Sequence, residues 1–235
     1  MLGKKVKLAI ICAMQEELDK IIDVFGNNYE KVINNNFIVY YFTYQHYQIY
    51  LTLSGIGKVN SASTTQFIID KFEISYVINV GVAGSLSDSL QFGDVVVAID
   101  LIQYDVDVTA FGLIKGQIPR MNNYSFPTDF NVIKMKLNNK EIKYGRIISG
   151  DKFVDNEQLA YELANDFDAI ACEMEGAAIA HVCFLNKIPV VVIRSISDFA
   201  GRDNKLASNY FKELKEMAAF KSSKVIEHIL LQNIL

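Results

Sequence analysis

Two stretches of this chain, "LAIICAM" (8–14) and "PVVVIRSIS" (189–197), are nearly unbroken runs of apolar residues. A strand with one wet face alternates apolar and polar side chains. A near-continuous run therefore belongs to a strand covered on both faces, and something must lie on each side of its sheet. Further runs dominated by Val, Ile and Tyr read as strands: "NFIVYYFTY" (36–44), "YQIYLTL" (47–53), "SYVINVG" (75–81), "GDVVVAIDLI" (93–102), "YGRIIS" (144–149) and "FDAIAC" (167–172). Segments with helical spacing alternate with them: "EELDKIIDVF" (16–25), "KVNSASTTQFIIDKF" (58–72), "NEQLAYELAND" (156–166), "EGAAIAHVCFLNK" (175–187) and "YFKELKEMAAFKSSKVIEHILLQ" (210–232). Alternating strands and helices predict an α/β fold with a largely parallel sheet. Back-to-back strands in 43–53 and 94–110 predict that the sheet is mixed. No linker-like stretch and no repeat interrupts residues 1–235, so a single domain is expected.

Composition removes several function classes. The net charge is −4 and no basic run exceeds Lys4-Lys5, so the electrostatic footprint of nucleic-acid binding is missing. No apolar run reaches the length of a membrane span. The apolar stretch at the start is short and runs into Gln15-Glu16-Glu17 without a small-residue cleavage site, which predicts a first strand and a cytoplasmic protein. Cys12, Cys172 and Cys183 sit in apolar surroundings and read as reduced core residues. His46, His181 and His228 are scattered, and no Cys/His spacing calls for zinc, so no metal site is expected.

In such folds ligands sit beyond the carboxyl ends of the strands. Those ends carry "MQEE" (14–17), "SGIGK" (54–58), "GVAGS" (81–85), "SGDKFV" (149–154), "EMEG" (173–176) and "SISD" (195–198). The glycine loops are not phosphate loops. A GxxxxGK[ST] pattern would need Gly at position 52 and Ser or Thr at 59, where Thr52 and Val59 stand. Both loops read as tight strand-to-helix turns. The acids of "QEEL" suit the first turn of a helix, where each contributes about 0.3–1 kcal/mol against the dipole, or a ligand site. Glu173 and Glu175, two residues apart at a helix start, would point in different directions, so at most one is expected in a given pocket. Asp198 ends a long apolar strand. A carboxylate partly buried there is expected to titrate above the usual range, as a general acid must. The alternative is an N-cap Asp. Phe153 is either core or a platform for a planar ring. Carboxylates from three strand ends, an aromatic and no metal signature point to acid/base chemistry on a small neutral ligand, and paired acids are the recurrent way to cleave a glycosidic bond.

Taken in order, "AMQEEL", "SGIGKVNSA", "NVGVAGSL", "DVDVTAFG", "SGDKFV", "CEMEGAAIAHVC" and "RSISD" resemble the methylthioadenosine/S-adenosylhomocysteine nucleosidases of the nucleoside phosphorylase superfamily. The resemblance implies a mixed, curved central sheet surrounded by helices, a homodimer, no cofactor, and hydrolysis of the adenine–ribose bond. It implies that Asp198 is the general acid, oriented by Ser197, and that Glu17 is the base that activates water. Glu175 would hold the ribose hydroxyls, with Met174 against the sugar; the resemblance leaves the role of Glu173 open, in the hydroxyl or the water network. Phe153 would stack on adenine while backbone groups of Val154 read the base edge. Ala83 and Gly84 would line the base and ribose, with Met14 and Ile56 near the sugar and 5′ group. Val108, Phe111 and Pro119 would close the alkylthio pocket of a neighbouring subunit. Two departures stand out. Val82 replaces a Ser of some members, and the aromatic that often caps the 5′ pocket has no clear counterpart near Ser208, Tyr210 and Phe211.

Two other readings compete. A purine nucleoside phosphorylase needs arginines for phosphate near the first strand end and before the Gly loop. Here those places hold Gln15-Glu16-Glu17 and Asn79-Val80, and acids there would repel phosphate. A non-catalytic nucleoside-binding protein could dispense with Glu17, yet Glu17 and Asp198 are both present. Methylthioadenosine, S-adenosylhomocysteine, 5′-deoxyadenosine and 6-amino-6-deoxyfutalosine all present adenine on a 5′-modified ribose, and the sequence does not rank them.

Overall fold

The computed structural model describes residues 6–26, 28–137, 141–202 and 205–232, with side chains described for all of these but 136–137 and 205–215. The first strand, β1 (Val6–Cys12), has Leu8 through Cys12 fully buried, as its unbroken apolar run requires. It leads into α1 (Gln15–Phe25), which turns Leu18 and Ile21 to the core. Three antiparallel strands follow, β2 (Glu30–Asn34), β3 (Phe37–Tyr44) and β4 (Tyr47–Leu53), and β4 returns to pair in parallel with β1. Next come α2 (Lys58–Phe72), β5 (Tyr76–Ser85) and β6 (Val95–Gln103). After a single 3-10 turn at Thr109–Phe111 come β7 (Phe126–Pro127), α3 (Phe130–Leu137), β8 (Ile142–Ser149) and α4 (Glu157–Phe167). The remainder is β9 (Ala169–Glu173), α5 (Gly176–Asn186), β10 (Val190–Phe199) and α6 (Lys205–Leu231).

All ten strands belong to one mixed sheet. β5 pairs with β10 in parallel, β10 with β6, β6 with β8, β8 with β9, and β9 returns to β5 through Gly84 opposite Cys172. Five strands thus close on themselves, which gives the curvature expected of the sheet its structural form. β1, β4, β3 and β2 extend from β5 as an open wing. Helices cover both sides. α5 is buried along most of its length because Gly176, Ala177, Ala178 and Ala180 let it approach its neighbours closely, with α2 packed on its outer side.

The eight strand-like runs are all strands, and each of the five helical segments contains a helix. β2, β7 and α3 were not anticipated, and α6 begins before residue 210. β2 is a short, mostly exposed edge with Glu30 and Lys31 at its start, and β7 is two residues long with a proline, so neither carries a period. Among the described residues no helix is long and apolar enough to cross a membrane. Cys12, Cys172 and Cys183 are buried free thiols.

Candidate active site

Glu17 lies in the first turn of α1, just after the bend at Ala13-Met14. Its Oε2 accepts the N–H groups of Ala13 at 2.9 Å and Met14 at 3.0 Å, and its Oε1 accepts that of Val82 on β5 at 3.1 Å. The capping role and the buried position therefore coincide in one carboxylate. Burial raises its pKa above the ordinary value, and Arg194 and the three amides only partly offset that. Space for it comes from Gly81: a Cβ at that position would lie 2.7 Å from Glu17 Oε1.

Asp198 sits near the end of β10, next to a bulge that falls between Ile196 and Asp198 against β5. A bulge inserts one residue and re-aims the side chains beside it. Ser197 is that extra residue, and its hydroxyl donates to Asp198 Oδ1 at 2.8 Å. Asp198 is buried, and a Cβ on Gly84 would stand 3.0 Å from its Oδ2. Asp198 lies inside the strand and is not the N-cap of a turn.

The "EMEG" segment corrects one expectation. Glu173 is the final residue of β9 and Glu175 is the N-cap of α5, so neither lies within the helix and helical spacing does not separate them. Both line the same cavity. Glu173 accepts the N–H groups of Glu175 at 3.0 Å and Gly176 at 2.8 Å, the Ser149 hydroxyl, and both Nε and Nη2 of Arg194. Arg194, also buried, is held on its other side by Asn79 Oδ1 at 2.6 Å. Glu175 Oε1 accepts the Gly57 N–H at 2.9 Å, so the start of α2 meets a carboxylate of its own chain. Burial, and next the charge of Glu173, push Glu175 up to about 7.

These groups open into one cavity of about 170 Å³. Met14, Glu17, Ile56, Val82, Ala83, Gly84, Phe153, Val154, Glu173, Met174, Glu175, Ser197 and Asp198 all line it, joined by Ala13, Lys152, Cys172 and Ala200. Every strand-end segment singled out in the sequence contributes. Phe153 is 53% exposed and is therefore a wall of the cavity rather than core. Its loop is pinned from behind. Lys58 N–H donates to Asp151 at 2.8 Å, Asp151 N–H donates to Asp105 at 3.0 Å, and the Tyr104 hydroxyl donates to the Lys152 carbonyl at 2.6 Å. Val108, Phe111 and Pro119 do not line this cavity. They lie on the 104–120 segment, where Phe111 is 85% exposed. The cap sought near Ser208, Tyr210 and Phe211 falls outside the described side chains. Among the described residues no group of His, Cys, Asp or Glu could hold a metal ion.

The model of the phosphorylase superfamily matches residues 7–231. A 5′-methylthioadenosine/S-adenosylhomocysteine nucleosidase of Buchnera aphidicola is 37% identical, with 96% of each chain covered. The protein of that name from Helicobacter pylori, complexed with an aminopyrrolopyrimidine-substituted pyrrolidinol, is 34% identical. It superposes with a TM-score of 0.90 over 98% of this chain and 100% of that one. The chain belongs to the methylthioadenosine/S-adenosylhomocysteine nucleosidase family. A structure described as futalosine hydrolase of Helicobacter pylori is 35% identical with a TM-score of 0.90, covering 97% of this chain and 98% of that one.

As a member of the nucleosidase family, the chain has three carboxylates, Glu17, Glu173 and Glu175, around one buried cation, Arg194. Such a site favours positive charge developing nearby and disfavours a further anion. Val82, where some family members have Ser, still serves Glu17 through its backbone N–H. Sequence reasoning missed Arg194 because it stands inside an apolar run. The available signal was that a lone charge in a buried strand requires a partner. Lys58, Asp105 and Asp151 were also missed. They lie far apart in sequence, and only the fold brings them behind Phe153.

Proposed function

We propose that this protein hydrolyses the N-glycosidic bond of 5′-methylthioadenosine and S-adenosylhomocysteine, releasing adenine and a 5-thioribose. The observation that carries this reading is the placement of Glu17 and Asp198 in one cavity, each against a different glycine of β5. Glu17 reaches the cavity from the first turn of α1, after β1, and Asp198 from β10, so the two acids meet a bound sugar from different strand ends.

Asp198, steadied by Ser197, donates a proton to the imidazole-ring nitrogen of adenine so that the base leaves neutral. Glu17, whose raised pKa makes it a better base than an ordinary carboxylate, activates water on the opposite face of the sugar. Glu175 receives the ribose hydroxyls, and Met174 packs on the sugar. Phe153 stacks on adenine, Val154 reads its edge through the backbone, and Ala83 and Gly84 line the base and ribose. Met14 and Ile56 border the sugar and 5′ group. The surrounding carboxylates favour the oxocarbenium-like state between bond cleavage and water attack.

Phosphorolysis fits less well. Arg194 is already committed to Glu173 and Asn79, so a phosphate would meet acids without a free guanidinium. The protein acts as a cytoplasmic homodimer in this reading, with Val108, Phe111 and Pro119 of one subunit closing the alkylthio pocket of the other. The exposure of Phe111 and Ile114, 85% and 56%, supports that.

The test is product analysis of methylthioadenosine with and without phosphate. Equal release of adenine and methylthioribose in both conditions is expected. A sugar 1-phosphate formed only with phosphate would overturn the reading, and binding without turnover would mean a non-catalytic role. Because a similar structure is described as futalosine hydrolase, 6-amino-6-deoxyfutalosine belongs in the same assay, beside 5′-deoxyadenosine.

A further inference from the structure

Glu173 differs from the other acids of the cavity in how completely it is used. Its Oε1 accepts from the Ser149 hydroxyl and the Gly176 N–H, and its Oε2 from Glu175 N–H, Gly176 N–H and both Nε and Nη2 of Arg194. Its side chain is only 3% exposed and that of Arg194 only 1%. A carboxylate with two oxygens offers about four good acceptor positions, so little remains for a ligand. What Glu173 does hold is the peptide of Glu175 itself. The Ser149 hydroxyl, which also accepts the Ala177 N–H at 2.7 Å, fastens the same turn from β8. Arg194 is fixed in turn by Asn79 at 2.6 Å, and Asn79 donates to the Ile11 carbonyl of β1 at 2.9 Å.

We infer that Glu173 is a positioning residue, not a substrate ligand: locked by Arg194 and Asn79, it holds the Met174-Glu175 turn so that Glu175 faces the sugar. This rests on the proposed nucleoside reading, in which Glu175 receives the ribose hydroxyls. The groups that face Glu175 are Glu173 from β9, Arg194 from β10, Glu17 from α1 and the Gly57 N–H at the start of α2. Of these, Glu173 is the neighbour that raises the pKa of Glu175 most after burial.

The test combines methylthioadenosine kinetics across pH with calorimetric binding of free adenine, for wild type, Glu173→Gln and Ser149→Ala. Glu173→Gln is expected to raise KM for the nucleoside about tenfold or more, with adenine affinity unchanged, because adenine has no sugar to hold. The acid limb of its kcat/KM profile should also move to lower pH, since removing one negative charge and releasing Arg194 both favour ionised Glu175. Ser149→Ala loosens the turn without changing charge, so its acid limb should stay in place. Equal weakening of adenine and nucleoside, or identical pH profiles in the two variants, would overturn the assignment. Should Glu173→Gln not fold, Asn79→Ala, which frees Arg194 on one side and gives up the bond to the Ile11 carbonyl, must still raise KM for the nucleoside while sparing adenine. An unchanged KM there would overturn it too. Failure of the nucleosidase reading is separate: wild type would then release no adenine, or release it only when phosphate is present.

Discussion

Glu17 occupies the space that a side chain at residue 81 would fill, with Gly81 offering only hydrogen where a Cβ would come within 2.7 Å of Glu17 Oε1. Gly81 lies in a strand without a positive φ, so its value is room, not backbone freedom. Gly81→Ala is expected to push Glu17 off its amide donors, lowering kcat about 100-fold and stability by about 1–3 kcal/mol. Initial rates and thermal melts of the purified variant check this.

The two acids themselves should be separable from the fold. Glu17→Gln and Asp198→Asn are each expected to reduce turnover by about 10²–10⁴-fold. Adenine release under single-turnover conditions, with circular dichroism as the control for folding, measures it.

Glu175 links pH to stability. Its carboxyl titrates at the ordinary 4.5 when unfolded and at about 7 when folded. Between those values the folded chain binds more protons, so stability falls as pH rises through the window, by about 3 kcal/mol in all. Glu175→Gln removes the penalty. The variant should melt higher than wild type near pH 8, lose that advantage near pH 5, and lose nucleoside affinity at both.

Phe153 is half exposed, so truncating it costs the empty protein little. Phe153→Ala is expected to raise KM about tenfold, the worth of one aromatic stack, and to move stability by less than about 0.5 kcal/mol. Steady-state kinetics beside a melting curve distinguish this from a core defect.

Phe111 stands almost fully in solvent on a 3-10 turn. In the proposed homodimer Phe111 sits at the contact, so Phe111→Asp is expected to shift sedimentation toward monomer in analytical ultracentrifugation, with wild type sedimenting as a dimer. The substitution should also weaken methylthioadenosine more than adenine, because only the former reaches the 5′ pocket.

The strands were legible because burial on both faces leaves an apolar run that survives any detail of packing, as in β1 and β10. The acids were legible because strand ends are where the backbone stops consuming polar groups. Less could be read where pairing is non-local. Nothing in "FDAIAC" says that Cys172 lies opposite Gly84, and "IRSISD" does not announce a bulge at Ser197. The carboxylate partner of Arg194 is 21 residues away, on β9, with β5 between the two strands. Helical spacing misjudged Glu173 and Glu175 because the helix begins one residue after the second of them.

The closed ring of strands has a consequence for how the protein is made. β10 is synthesised after β5, β6, β8 and β9, yet it is the strand that joins β5 to β6 and brings Asp198 to the cavity. A nascent chain that has reached residue 189 holds Glu17, Phe153 and Glu175 but has two unsealed sheet edges. Neither catalysis nor a stable barrel can precede the arrival of β10. Such late, long-range closure slows folding and leaves edges open to wrong partners in the interval. Chaperone dependence should therefore concentrate on chains stalled just short of β10.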